Sequence, residues 1–125
     1  MGLLGHTLAK KADLDYESYI IERLFKPLRM NNTKIVPGPK EEELLAAGHD
    51  ADGNTVLPTW FFTGLEGCGS LRSNIRDMMN YVKVNVYPEG SKLSSAVKRA
   101  QQVHFIVDEK MSIGLGWIFL PEREI

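Results

Sequence analysis

The sequence predicts a mainly α-helical chain with a minor β component, organised as one domain over residues 1–125. Three observations carry this reading. Four segments place apolar residues at helical spacing, an Asp-Gly pair sits between two short flanking segments, and an alternating apolar stretch comes near the C-terminus. A length of 125 residues suits a single domain. Hydrophobic and charged fractions of 43% and 25% suit a chain that buries a core. Fifteen Lys and Arg against sixteen Asp and Glu leave a net charge of −1. That balance excludes the basic groove a nucleic acid would require. One cysteine, Cys68, excludes an internal disulfide and a cysteine-based zinc site. No apolar run approaches the roughly 20 residues of a membrane span. No secretory leader is expected, since no basic residue precedes the apolar residues 1–8 and no small-residue cleavage site follows them.

Residues 1–11 read as a helix, with Leu3, Leu4, Thr7 and Leu8 on one stripe. No Ser, Thr, Asp or Asn precedes it to accept its first free N–H groups, as expected if this segment continues a longer protein. A second helix starts at Asp15 as N-cap, with Leu14 and Tyr19 placed as a hydrophobic staple and Tyr16, Tyr19, Ile20, Arg23 and Leu24 near one face. Pro27 is expected to end it, because the residue before a proline is pushed out of the α region. A turn and a short extended stretch follow to Val36, then a loop at residues 37–40. Glu41, Glu42 and Glu43 form a solvated acidic run.

Residues 46–58 predict a hairpin turning at Asp52-Gly53 or Gly53-Asn54. The surrounding residues 50–54 have a passing likeness to a calcium loop, but lack its ligand spacing and terminal Glu, so a plain turn is expected. Residues 59–70 carry no period. Trp60, Phe61 and Phe62 are followed by Gly64, Gly67 and Gly69, which suggests a loop packed closely on a body. Ser73 is the expected N-cap of a third helix whose stripe is Ile75, Met78, Met79, Val82 and Val86, closed by Pro88-Glu89-Gly90. A fourth helix is expected over residues 92–104, with Leu93, Ala96, Val97, Ala100 and Val103 inward. Residues 112–120 read as a strand with Ile113, Leu115, Trp117 and Phe119 on one side. A turn at residues 121–124 and a partner opening at Ile125 leave this an orphan strand, a second sign of a longer parent.

Little chemistry is evident from spacing. His6, His49 and His104 form no i, i+4 pair, no carboxylate pair stands out, and no Gly-rich phosphate loop follows a strand. Neither a metal nor a cofactor is therefore expected. Ser95-Ala96-Val97-Lys98 matches Ser-x-x-Lys, which places a serine nucleophile one helical turn from an activating lysine. Its place on an amphipathic helix makes solvated side chains the expectation. Ser70 follows Gly67-Cys68-Gly69, but Leu71 stands where a nucleophile elbow requires glycine. Cys68 has no neighbouring base or cation in sequence, so an inert thiol is expected.

Four stretches in order resemble one family. Gly2-Leu3-Leu4-Gly5-His6 is similar to the helix after the Tyr-x-Asn motif of class C-type serine β-lactamases and the related penicillin-binding esterases and D-Ala-D-Ala carboxypeptidases. Phe25-Lys26-Pro27-Leu28-Arg29-Met30-Asn31-Asn32-Thr33 resembles the family's F-x-P-L-x-M-x-x-T segment. Residues 67–78 resemble its G-A-G-G-L-x-S-T-x-x-D-M segment, with Cys68 in place of Ala and Ser70 in place of the last Gly. Gly114-Leu115-Gly116-Trp117 resembles its G-L-G-W strand.

The resemblance implies the helical subdomain of a β-lactamase-like fold, part of a larger α/β-plus-α serine hydrolase domain. It implies that Glu66, Gly67, Cys68, Gly69 and Ser70 form one wall of the substrate cleft. The family's nucleophilic Ser and Lys, its Tyr-x-Asn and its Lys/His-Thr-Gly strand have no counterpart in this sequence, so the chain alone is expected to be inactive. Its implied partners are the α/β half of the parent domain and a β-lactam, peptide or ester substrate. Self-association through the orphan strand is expected of the isolated chain. Relatives are mostly periplasmic or secreted, with cytoplasmic esterases among them. The alternative is a free-standing, non-catalytic helical binding module. Flanking codons would discriminate: a Tyr-x-Asn just upstream and a Lys/His-Thr-Gly just downstream mark the first reading.

Overall fold

Helix α1 spans Gly2–Lys11 and packs through its smallest residues. Gly2 and Ala9 are buried, whereas Leu3, Leu4 and Leu8 are exposed, so the predicted apolar stripe faces away from the contacts of this helix. A computed structural model of the chain describes residues 1–121. It divides into two compact units, Met1–Met78 and Met79–Ile125.

In the first unit, Asp15 caps helix α2, Tyr16–Ile20, by accepting the Ser18 N–H at 2.8 Å, as its side-chain chemistry predicts. The helix does not stop before Pro27. It widens into a π-helical turn, Ile21–Phe25, and continues through α3, Lys26–Leu28, with Pro27 inside. Proline lacks a donor, and the π spacing lets the chain pass it without the α-helical bond. Arg29, at φ 56° and ψ 39°, ends the helix in the left-handed region.

The motif that follows supplies the core: Phe25, Leu28, Met30 and Ile35 are buried, with Ala9 from α1. Lys34 and Arg72 form an isolated antiparallel bridge, donating to each other's carbonyls at 3.0 and 2.8 Å. Helix α4, Pro39–Glu42, contains most of the acidic run, and Glu41 pairs with Lys34. Strands β1, Gly48–His49, and β2, Val56–Leu57, form the predicted hairpin. Asp50 closes its turn, accepting the Gly53 and Asn54 N–H groups, and Gly53 has φ 74°. The calcium-like residues thus make a turn.

Helix α5, Ile75–Val86, begins in the first unit and continues into the second. Asn74, not Ser73, caps it, by accepting the Asp77 N–H at 2.9 Å. Ser73 instead shares a 2.8 Å hydrogen bond with Thr33. The predicted stripe of α5 is exposed along its length, and its buried residue is Asp77.

In the second unit, α6 covers Ser94–Ala100, shorter than predicted, with Ala96 and Val103 exposed. Residues 112–120 are not one orphan strand. They hold the end of β4, Met111–Ile113, and all of β5, Ile118–Phe119, joined by a turn in which Gly116 has φ 79°. Strand β3, Phe105–Asp108, completes a three-stranded antiparallel sheet in the order β3-β4-β5, so β4 has neighbours on both sides. The glycines at 114 and 116 break the alternation that suggested a continuous strand. Gly114 N–H donates to Trp117 O, and Leu115 N–H donates to Ala100 O. The expected turn at residues 121–124, past its first residue, and the strand opening at Ile125 lie outside the described residues. No described helix is long and apolar enough to cross a membrane.

Candidate functional site

The five residues expected as a cleft wall lie together on one short loop. Glu66–Cys68 form a 3-10 turn, and Gly69 follows at φ 148°, a conformation that excludes most side chains. The Ser70 N–H returns to Glu66 O at 3.1 Å, and the Gly64 N–H donates to the Glu66 carboxylate at 2.8 Å. Ser70 is 1% exposed, and its hydroxyl accepts the Phe62 N–H at 3.1 Å. Its oxygen therefore braces the loop from within. Cys68 is exposed, with its Sγ accepting the Gly2 N–H at 3.3 Å. That contact occupies one of the free N–H groups at the start of α1.

Glycines explain how closely α1 approaches this loop. A Cβ at Gly2 would lie 2.8 Å from Leu65 Cβ, and one at Gly5 would lie 2.6 Å from Tyr16 Cε2. The Tyr16 ring also covers Gly67, where a Cβ would stand 3.2 Å from its hydroxyl. Burial pushes the Tyr16 phenol above its ordinary pKa, and the negative charge of Glu66 adds to the effect.

A buried polar clamp ties two of the motif segments together. Asp77, 1% exposed, accepts the Asn32 N–H at 2.7 Å and the Thr33 hydroxyl at 2.8 Å. Nearby, Glu17 accepts the N–H groups of Ile35 and Val36 at 2.7 and 3.2 Å. Arg72 reaches three carbonyls: its Nη1 donates to Ile35 O and Ser70 O, each at 2.7 Å, and its Nη2 to Trp60 O at 3.0 Å. Its guanidinium carbon stands 5.9 Å from the centre of the Phe61 ring. Trp60 and Phe62 meet edge to face at 6.0 Å.

The other candidates stand apart from any shared chemistry. Ser95 and Lys98 are both exposed on α6, and Lys98 pairs with Glu89 at 3.2 Å. His104 contacts Arg99 O at 3.0 Å through Nε2. Among the described residues, no group of three His, Cys, Asp or Glu is placed to hold a metal ion. Spacing alone missed Asp77, Arg72 and Tyr16. Asp77 was nonetheless visible as the Asp of the quoted Gly-rich segment, and Thr33 as the last residue of its partner motif.

The beta-lactamase family model matches residues 1–121. The chain is 31% identical over 122 residues to a beta-lactamase of Yersinia enterocolitica, covering 94% of this chain and 31% of that protein. It is equally 31% identical over 123 residues to a beta-lactamase of Escherichia coli K12, covering 96% and 32%. Among solved structures, a beta-lactamase/D-alanine carboxypeptidase from Pseudomonas syringae superposes with a TM-score of 0.82 at 22% identity, over 94% of this chain and 33% of that one. A D-alanine carboxypeptidase from Burkholderia cenocepacia gives 0.83 at 22% identity, over 94% and 34%. The chain thus spans about a third of the length of these relatives.

Proposed function

Because the chain belongs to the beta-lactamase family, we propose that it supplies one wall of the substrate cleft of a serine acyl hydrolase, the wall being Glu66, Gly67, Cys68, Gly69 and Ser70. The parent reaction is attack of a serine on an amide or ester carbonyl, giving an acyl-enzyme that water then hydrolyses. A β-lactam or a D-alanyl peptide is the substrate class that the relatives' names suggest. Such chemistry needs a nucleophile, a base for its proton and N–H donors aimed at the oxyanion. We further propose that these 125 residues turn over no substrate alone and work against the α/β half of a larger domain.

One observation carries the division of labour. The apolar stripes of α1 and α5 are exposed: Leu3 and Leu4 on one, Ile75, Met79, Val82 and Val86 on the other. Amphipathic helices are stable with such faces covered, and a family domain three times this length supplies the cover. Inactivity is supported by the two candidate hydroxyls. Ser70 Oγ is buried against Phe62 N, and Ser95 lies exposed beside a lysine that pairs with Glu89.

Nitrocefin and p-nitrophenyl acetate assays on the purified chain test the proposal, with no turnover above the uncatalysed rate expected. Turnover that disappears in Ser95→Ala or Ser70→Ala would overturn it. The same exposed stripes support association between copies, so sedimentation velocity should show concentration-dependent self-association, and a clean monomer at high concentration would contradict this.

A further inference from the structure

We propose that Arg72 is the positioning residue of the cleft-wall loop, holding the aromatic segment Trp60, Phe61 and Phe62 and the wall residues through Ser70 as one rigid step. The inference rests on the reading of that loop as a cleft wall. It starts from the backbone of Arg72, which is pinned in both directions to Lys34 at 2.8 and 3.0 Å. A side chain launched from a bridge bonded in both directions starts from a fixed place. From there the guanidinium takes three carbonyls from three separate stretches: Ile35, Trp60 and Ser70.

The loop's own bonds close its two halves locally. The Leu65 N–H donates to Phe62 O, the Cys68 N–H to Leu65 O, and the Ser70 N–H to Glu66 O. The Phe62 N–H to Ser70 Oγ bond draws the halves together. Arg72 then fastens the outer carbonyls, at Trp60 and Ser70, to the backbone at Ile35. Its head sits beside the Phe61 ring, while its Nε is buried without a hydrogen-bond partner. A lysine carries the same charge but cannot present two nitrogens in one plane to three acceptors.

The test uses the 125-residue chain and reads no hydrolysis, so its outcome is independent of the activity assays above. Cys68, exposed on the loop, reports loop position through its rate of modification by a disulfide reagent at constant pH. Amide exchange at Phe62 reports the loop, and exchange at Asn32, whose N–H is held by Asp77, reports the rest of the first unit. In Arg72→Lys, Cys68 modification and Phe62 exchange should each rise about tenfold, matching the loss of charge-assisted hydrogen bonds, while Asn32 protection stays at its wild-type level. In Arg72→Ala, millimolar guanidinium ion should restore slow modification, and equal ammonium should not. Unchanged Cys68 and Phe62 rates in Arg72→Lys would overturn the proposal. So would a parallel loss of Asn32 protection, which marks general destabilisation, or a failure of guanidinium to rescue Arg72→Ala. Arg72→Lys keeps the test decisive if Arg72→Ala does not fold.

Discussion

In residues 1–78, Ala9, Phe25, Leu28, Met30 and Ile35 are buried along with the polar residues Thr33, Ser70 and Asp77. Among the described residues from 79 onward, only Pro88 and Gly114 are buried. The first region is held by contacts distant in sequence: Asn32 and Thr33 to Asp77, Arg72 to Ile35, and Glu17 to Ile35 and Val36. Those in the second lie mostly within α6 and across two short hairpins, with two longer reaches, Leu115 N–H to Ala100 O and Gln101 Nε2 to Asn85 O. Both regions have apolar residues at regular spacing. The difference teaches that periodicity identifies which residues share a face, whereas burial depends on whether a surface covers that face.

The largest way to break this contrast is Asp77→Ala. It leaves the Asn32 N–H and Thr33 hydroxyl without their acceptor, and should cost about 3 kcal/mol in urea unfolding of the first region. Ser95→Ala, on exposed α6, should stay within about 0.5 kcal/mol. Gly5→Ala drives a methyl against Tyr16 and should cost about 1–3 kcal/mol, measured in the same way. Asn74→Ala removes the cap of α5 and should cost about 1 kcal/mol, seen as reduced helical ellipticity. A fourth effect is smaller and depends on pH. Hydrogen bonding from Ser18, first through its side chain and then through its N–H, holds the Asp15 carboxyl below its ordinary pKa. A lowered folded-state pKa gives stability that is present above the unfolded value and lost as pH falls through the folded one. Helix α2 should therefore weaken under acid in the wild type more than in Asp15→Asn, which caps without titrating, and far-UV circular dichroism against pH checks this.

Much of the first region was legible in the sequence. Asp15 caps as its position implies, the Asp52-Gly53 turn makes its hairpin, and Phe25, Leu28 and Met30 of the F-x-P-L-x-M segment become core. Other features were hidden for physical reasons. A proline normally ends a helix, and only the π turn over residues 21–25 carries the chain past Pro27. Ser73 and Asn74 are both capping residues, and Thr33, 40 residues away, decides between them by engaging Ser73. Residues 112–120 alternate like one strand, but two glycines fold them back, and β3 was missed beside them. The grouping of residues 66–70 on one loop was readable from the family resemblance. The contacts of Arg72 were not, because two of its three carbonyls, at Ile35 and Trp60, come from segments far from it in sequence.

Native-state hydrogen exchange on the chain tests the central claim, that the loop over residues 66–70 is carried by a self-braced framework within this chain. The Phe62, Ser70 and Asn32 amides should exchange more slowly than those of His104 and Gly114, whose acceptors are Ile113 O and Trp117 O in the second region. Exchange at Phe62 and Ser70 as fast as in an unfolded peptide, with His104 and Gly114 protected, would contradict it.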